Sequence, residues 1–154
     1  MDISKKIFVT KAGLAELKKE YDELVNKKRP GVVTRLATAR SQGDLTENSE
    51  YTAAKQDLAF TDGRIAELEQ VIHEAQVVVT HSKQKVDIGC KVTLHLKGKK
   101  ETFIIVGEWE ADPTQKKISH SSPLGRALLG KKVGEKVEVE APAGKVVYKI
   151  LAIQ

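Results

Sequence analysis

Between residues 51 and 75, apolar or small residues fall at Tyr51, Ala54, Leu58, Thr61, Ile65, Leu68, Ile72 and Ala75. The steps alternate three and four without a slip, the spacing of a helix whose apolar seam meets another helix. An earlier run, "KAGLAELKKEYDELVNKKRP", keeps the same spacing at Leu14, Leu17, Tyr21 and Leu24, and Thr10 stands before it as an N-cap. The two seams match in reverse order: Leu14 with Ala75, Leu17 with Ile72, Tyr21 with Leu68 and Leu24 with Ile65. Two helices related in this way form an antiparallel hairpin. Its turn falls around residues 41–46, where "SQGD" supplies flexible and capping residues.

The first arm carries an irregularity. Beyond Leu24 the apolar positions move to Val32, Leu36 and Ala39, and Pro30 and Gly31 sit at the shift. Proline lacks a backbone donor and crowds the preceding turn, so a local kink in one long arm is expected. Two separate helices are the alternative. After residue 76 the pattern becomes β-branched and alternating: "AQVVVTH", "CKVTLHL", "ETFIIVG", "KISHS", "EKVEVEA" and "KVVYKILAI" read as strands. "SPLGRALLG" reads as a short helix, with Ser122 as cap, Pro123 in its first turn and Gly130 after its end. The expected architecture is α+β: a helical hairpin over residues 1–78 and a compact strand-rich domain over 79–154.

Composition narrows the function classes. The single cysteine, Cys90, excludes an internal disulfide and points to a reducing, cytoplasmic setting. No run of 18 apolar residues exists to span a membrane, and "MDISKKIFVT" lacks the apolar stretch of a signal peptide. Residues 1–76 carry 12 basic and 13 acidic side chains, whereas 77–154 carry 14 and 8. The excess positive charge thus lies in the second half, which suits an acidic partner, either nucleic acid or a protein surface. His73, His81, His95 and His120 show no zinc-ligand spacing, and Cys90 reads as a buried strand residue. No nucleophile elbow, phosphate-binding loop or dinucleotide fingerprint occurs.

The chemistry concentrates at the hairpin turn, "QGDLTENSEY", which holds Asp44, Glu47 and Glu50. Asp44 and Glu47 have the spacing of a capping box, and Glu50 suits the first turn of the second arm. The same carboxylates could instead ligate a metal. Lys27, Lys28, Arg29, Arg35, Arg40, Lys55 and Arg64 flank the turn. They could follow a phosphate backbone or form ordinary charge pairs on a solvated helix face.

"ARSQGDLTENSEYTAAK" resembles the tip region of the bacterial Gre transcript cleavage factors, closest to the GreA type. "FVTKAGLAELKKEYDEL", "KKRP", "GRIAELEQVIHEAQVV" and "ISHSSPLGRALLGKKVGEKVEVEAPAGKVVYKI" extend the resemblance over nearly the whole chain. The resemblance implies an N-terminal antiparallel coiled coil and a C-terminal FKBP-like domain. It implies a monomer that binds bacterial RNA polymerase at the rim of the secondary channel and inserts the coil toward the active centre. There it would stimulate the polymerase's own cleavage of backtracked nascent RNA, without being an enzyme itself. By position, Asp44 and Glu47 would be the tip carboxylates, sharing Mg²⁺ with the polymerase; no cofactor would be held stably by the factor alone. Arg40 and Lys55 would touch the RNA 3′ segment, and Ser122, Pro123 and Leu124 would lie near the polymerase rim. The near-neutral hairpin half departs from a broadly basic coil and fits the GreA type better than the more basic GreB type. A channel-binding regulator without cleavage activity is an alternative, which the retained Asp44 and Glu47 weigh against. A prolyl isomerase or chaperone is another, and few aromatics are present to line a proline pocket.

Overall fold

The computed structural model describes residues 6–43, 48–79 and 83–154. Its elements are β1 (Ile7–Val9), α1 (Lys11–Glu23), a π-helical turn (Leu24–Lys28), α2 (Arg29–Ser41), α3 (Ser49–Glu74) and β2 (Ala75–Val77). They are followed by β3 (Lys91–Leu96), β4 (Lys99–Val106), β5 (Lys117–Ser119), α4 (Pro123–Leu128), β6 (Lys136–Ala141) and β7 (Gly144–Ile153). The class is α+β. Two compact units form: one spans Ala15–Glu74, and the other joins the described residues of 1–14 to Ala75–Gln154. The sequence places a boundary between 78 and 79. The first residues group with the second unit because β1 pairs in parallel with β2, Ile7 opposite Ala75 and Val9 opposite Val77. Three residues are too few to show an alternating pattern, so β1 left no signal of its own.

In the helical unit, the first arm passes from α1 through the π turn into α2 without a gap. The amide of Arg29 donates to the carbonyl of Leu24, five residues back. Such a turn inserts one residue into the helical repeat. Continued α-helix would bring residues 28, 31 and 35 to the seam; the insertion brings 32, 36 and 39 instead. Val32 and Ala39 are buried and Leu36 is half-buried, whereas Gly31 and Arg35 are exposed. The irregularity expected at Pro30 and Gly31 thus lies earlier, at Leu24–Lys28, as a π turn within one continuous arm. Pro30 enters the first turn of α2, where a missing amide hydrogen is tolerated. On α3, Ala54, Thr61 and Leu68 are buried and Tyr51, Leu58, Ile65 and Ile72 are half-buried. Thr61, the polar member of the seam, donates its hydroxyl to the Asp57 carbonyl at 2.8 Å.

The start of α3 is capped by a residue the sequence reading did not name. Asn48 caps the helix: its side-chain oxygen accepts the Tyr51 amide at 3.1 Å. Its Nδ2 donates to the Ala39 carbonyl at 2.8 Å. One side chain thus closes the helix N-terminus and ties it to the end of α2. Asparagine is among the best N-caps; Asp44 and Glu47, which have the spacing of a capping box, lie outside the described residues.

In the second unit, five strands run in the order β5-β4-β3-β7-β6. The β4–β5 pair is parallel and the other three pairs are antiparallel. One face buries Val92, Leu94, Ile105, Val137 and Ile150 against Leu128 of α4, with Cys90 beside them. Ser122 caps α4 as expected, accepting the Gly125 amide at 3.1 Å, and Pro123 opens it. Position 125 must be glycine, since a Cβ there would lie 2.0 Å from the Ser119 carbonyl oxygen.

The Glu110 carboxylate clamps the beginning of α1. It accepts from the Thr10 amide at 2.8 Å, the Gly107 amide at 3.2 Å and the Thr10 hydroxyl. The Thr10 hydroxyl oxygen in turn accepts the Gly13 amide at 3.0 Å, the expected N-cap. Gly13 and Gly107 admit this approach: a Cβ on Gly13 would meet the Glu110 carboxylate, and one on Gly107 would meet the Phe8 carbonyl.

Glu110→Ala leaves two backbone amides without their acceptor and is expected to lower stability by about 1.5–3 kcal/mol. Asn48→Ala is expected to cost about 1 kcal/mol. Urea unfolding followed by circular dichroism measures both. Midpoints equal to the parent protein would show that water replaces these bonds without loss.

Candidate functional site

The hairpin tip is built on the two helix ends. The Gln42 amide and the Asn48 side chain both donate to the Ala39 carbonyl, at 3.2 and 2.8 Å. The Ser41 hydroxyl closes onto the Thr38 carbonyl at 2.7 Å. The segment carrying the tip carboxylates therefore leaves from and returns to one buried residue, Ala39. Asp44 and Glu47 lie outside the described residues, and so do the catalytic and metal assignments made for them. Glu50 stands in the first turn of α3, as expected, and its carboxylate also meets Arg35 at 2.9 Å.

The basic residues flanking the tip divide into two sets. Arg64 makes two bonds to Glu20, at 2.8 and 3.1 Å, and one to Glu67 at 2.7 Å. The hydrogen bonds to Glu20 raise its pKa above the ordinary arginine value. Arg29 meets Asp62 at 2.6 Å, which raises its pKa likewise. Lys28 and Arg35 share Asp57, at 3.7 and 3.3 Å. Except for Arg64–Glu67 within α3, these pairs join the first arm to α3. The pairs are half-exposed, so each contributes little to stability, but together they neutralise the middle of the hairpin. For these four residues the ordinary charge-pair reading holds.

Lys27, Arg40 and Lys55 form the second set, with no carboxylate partner among the described residues. Arg40, in the last turn of α2, lies 6.0 Å from the ring centre of Tyr51. Lys55 follows Tyr51 by one helical turn and shares its face. The structure thus gathers Arg40, Tyr51 and Lys55 at the tip end of the hairpin, leaving two cations available to an anionic ligand. The sequence picked out Arg40 and Lys55 but missed Asn48. The signal lay in the asparagine directly before "SEYTAAK", a preferred capping residue ahead of an acidic first turn.

In the second unit, Ser122, Pro123 and Leu124 occupy one loop and the first turn of α4. The Ser122 hydroxyl is engaged twice, accepting from Gly125 and donating to the Ser119 carbonyl at 2.6 Å. Leu124 packs against the core, and Pro123 is exposed. Of the three, Pro123 is the one presented outward. Among the described residues no helix is long and apolar enough to cross a membrane.

Two family models cover almost all of this chain. The N-terminal model of the transcription elongation factors matches residues 7–77, and the C-terminal GreA/GreB model matches 81–154. The chain is 45% identical to the transcription elongation factor GreA of Thermoanaerobacter pseudethanolicus, over 99% of both chains. It is 46% identical to that of Oenococcus oeni, over 87% of this chain and 85% of the relative. Among solved structures, GreA factor homolog 1 of Thermus thermophilus is 28% identical, covers 97% of this chain and 99% of its own, and superposes with a TM-score of 0.47. With both units matched, in the order in which the family carries them, the chain belongs to the GreA/GreB family of transcription elongation factors.

Proposed function

We propose that this protein is a transcript cleavage factor that acts within bacterial RNA polymerase and not as a free-standing nuclease. The observation that carries the reading is the tip. The "GDLTENSEY" string is intact, and Gln42 before it and Asn48 within it both donate to the Ala39 carbonyl. Asn48 supplies the cap of α3, so the helix has a capping residue other than the two tip carboxylates.

Asp44 and Glu47 would hold Mg²⁺ jointly with the polymerase. The donor set suits that ion, which is commonly held by one or two carboxylates and keeps several waters. When bound, Mg²⁺ supplies charge stabilisation to the oxygens of a phosphodiester undergoing hydrolysis. Two carboxylates alone bind it weakly, so the factor contributes half a site. Arg40 and Lys55, which have no carboxylate partner among the described residues, contact backbone phosphates of the nascent RNA 3′ segment, chiefly through charge. The neutralised middle of the hairpin keeps those contacts near the tip. Pro123 and the adjoining turn of α4 face the polymerase rim.

The test is cleavage of RNA in a stalled, backtracked polymerase complex. Replacing Asp44 and Glu47 together by Ala is expected to reduce stimulated cleavage by at least about 100-fold. Polymerase affinity and helicity should remain those of the parent protein. Normal cleavage by the double variant would refute the assignment, and a collapse of helicity would show that the carboxylates are structural after all.

A further inference from the structure

We infer that the solvent-facing side of the C-terminal sheet binds the phosphate backbone of duplex DNA through a row of Lys100, His95, Lys149 and Lys136. The row follows from strand register. Lys100 of β4 stands opposite His95 of β3, His95 opposite Lys149 of β7, and Lys149 opposite Lys136 of β6. Residues directly opposite share a face. Leu94, Val137 and Ile150 supply the buried face, so the row, one residue out of phase with them, lies on the other. The three lysines are exposed and His95 is half-buried.

Adjacent strands are about 4.8 Å apart, so three steps carry the row across about 14 Å. That is about the axial rise of four nucleotides on one strand of B-DNA. Beside the row, Thr93 stands opposite Thr102 with their hydroxyls 3.2 Å apart, and hydroxyls are common partners of phosphate oxygens. Two carboxylates, Glu138 and Glu140 of β6, share the face; Glu138 is held by Lys145 at 3.8 Å. None of the three row lysines has a carboxylate partner among the described residues.

The contrast with the hairpin is informative. There, four of the cations near the tip are matched to carboxylates. On the sheet, Lys149 is placed directly against Lys136, although like charges directly opposite destabilise a sheet. A phosphate chain laid over the row removes that repulsion. The only aromatic ring in the row is the half-buried imidazole of His95; Phe103 and Tyr148 stand opposite Val92 and Val137 on the buried face, so the row lacks the run of exposed rings on which successive unpaired bases stack, which disfavours single strands. The regular spacing of the cations favours a repeating phosphate chain over an acidic protein segment. The inference is independent of the tip and of the polymerase.

Fluorescence anisotropy with the full chain and a labelled 20-base-pair duplex tests it. Binding should weaken with salt along a log–log slope of about −2.7, three lysines at about −0.9 each. The variant Lys100→Gln/Lys136→Gln/Lys149→Gln should lose at least about 10-fold in affinity and most of the slope. The control Lys11→Gln/Lys18→Gln/Lys19→Gln changes the net charge equally on α1, where all three lysines are exposed, and should bind like the parent protein. Amide shifts in the parent on adding duplex should concentrate at Thr93–Leu96, Lys136 and Lys149, a readout that does not depend on the variants folding. Equal loss in both variants would reduce the effect to net charge and overturn the assignment. So would tighter binding to a single-stranded 20-mer, tighter binding to an acidic peptide, or amide shifts located elsewhere.

Discussion

Two helices that bury their apolar stripes chiefly against each other must keep those stripes facing along their whole length. In this protein that constraint passes through five residues, Leu24–Lys28. Without an inserted residue, the seam of the first arm would present positions 28, 31 and 35, which are lysine, glycine and arginine. With it, Val32, Leu36 and Ala39 face inward instead. Everything nearer the tip depends on this rotation. The burial of Ala39 places its carbonyl where Gln42 and Asn48 both reach it.

A carboxylate organises the beginning of the first arm in a comparable way. Glu110 comes from a turn after β4, yet its oxygens serve Thr10 at the N-terminus of α1. The helix dipole favours negative charge at that end, so one carboxylate satisfies open amides and complements the dipole together. Gly13 and Gly107 are glycines because the approach leaves no room for a Cβ at either position. β1 is secured by the same neighbourhood, paired with β2 on one side and followed directly by the clamped Thr10.

Charge is distributed by the same logic of local need. Along the hairpin, cations of the first arm meet carboxylates of α3, and the rod surface is close to neutral there. Toward the tip, Arg40 and Lys55 have no carboxylate partner among the described residues. The C-terminal sheet holds most of the remaining excess positive charge, which a near-neutral hairpin half already implied.

The sequence by itself determined the helical hairpin, its antiparallel sense, the strand-rich second half and the short capped helix α4. These rest on periodicity and capping chemistry, which are local and survive in a one-dimensional reading. It also signalled an irregularity in the first arm, because a seam that shifts by one residue is visible as spacing, but set it at Pro30 and Gly31, whereas the π turn lies at Leu24–Lys28. Tertiary structure alone decided the rest. That the shift is a π turn, that Asn48 caps α3 while tying it to Ala39, and that Glu110 serves Thr10 are decided by how the elements pack against one another. The same holds for the charge pairs of Arg29, Arg35 and Arg64, and for the row joining Lys100, His95, Lys149 and Lys136. Periodicity places a side chain on a face. Only packing and register decide which partner it finds there.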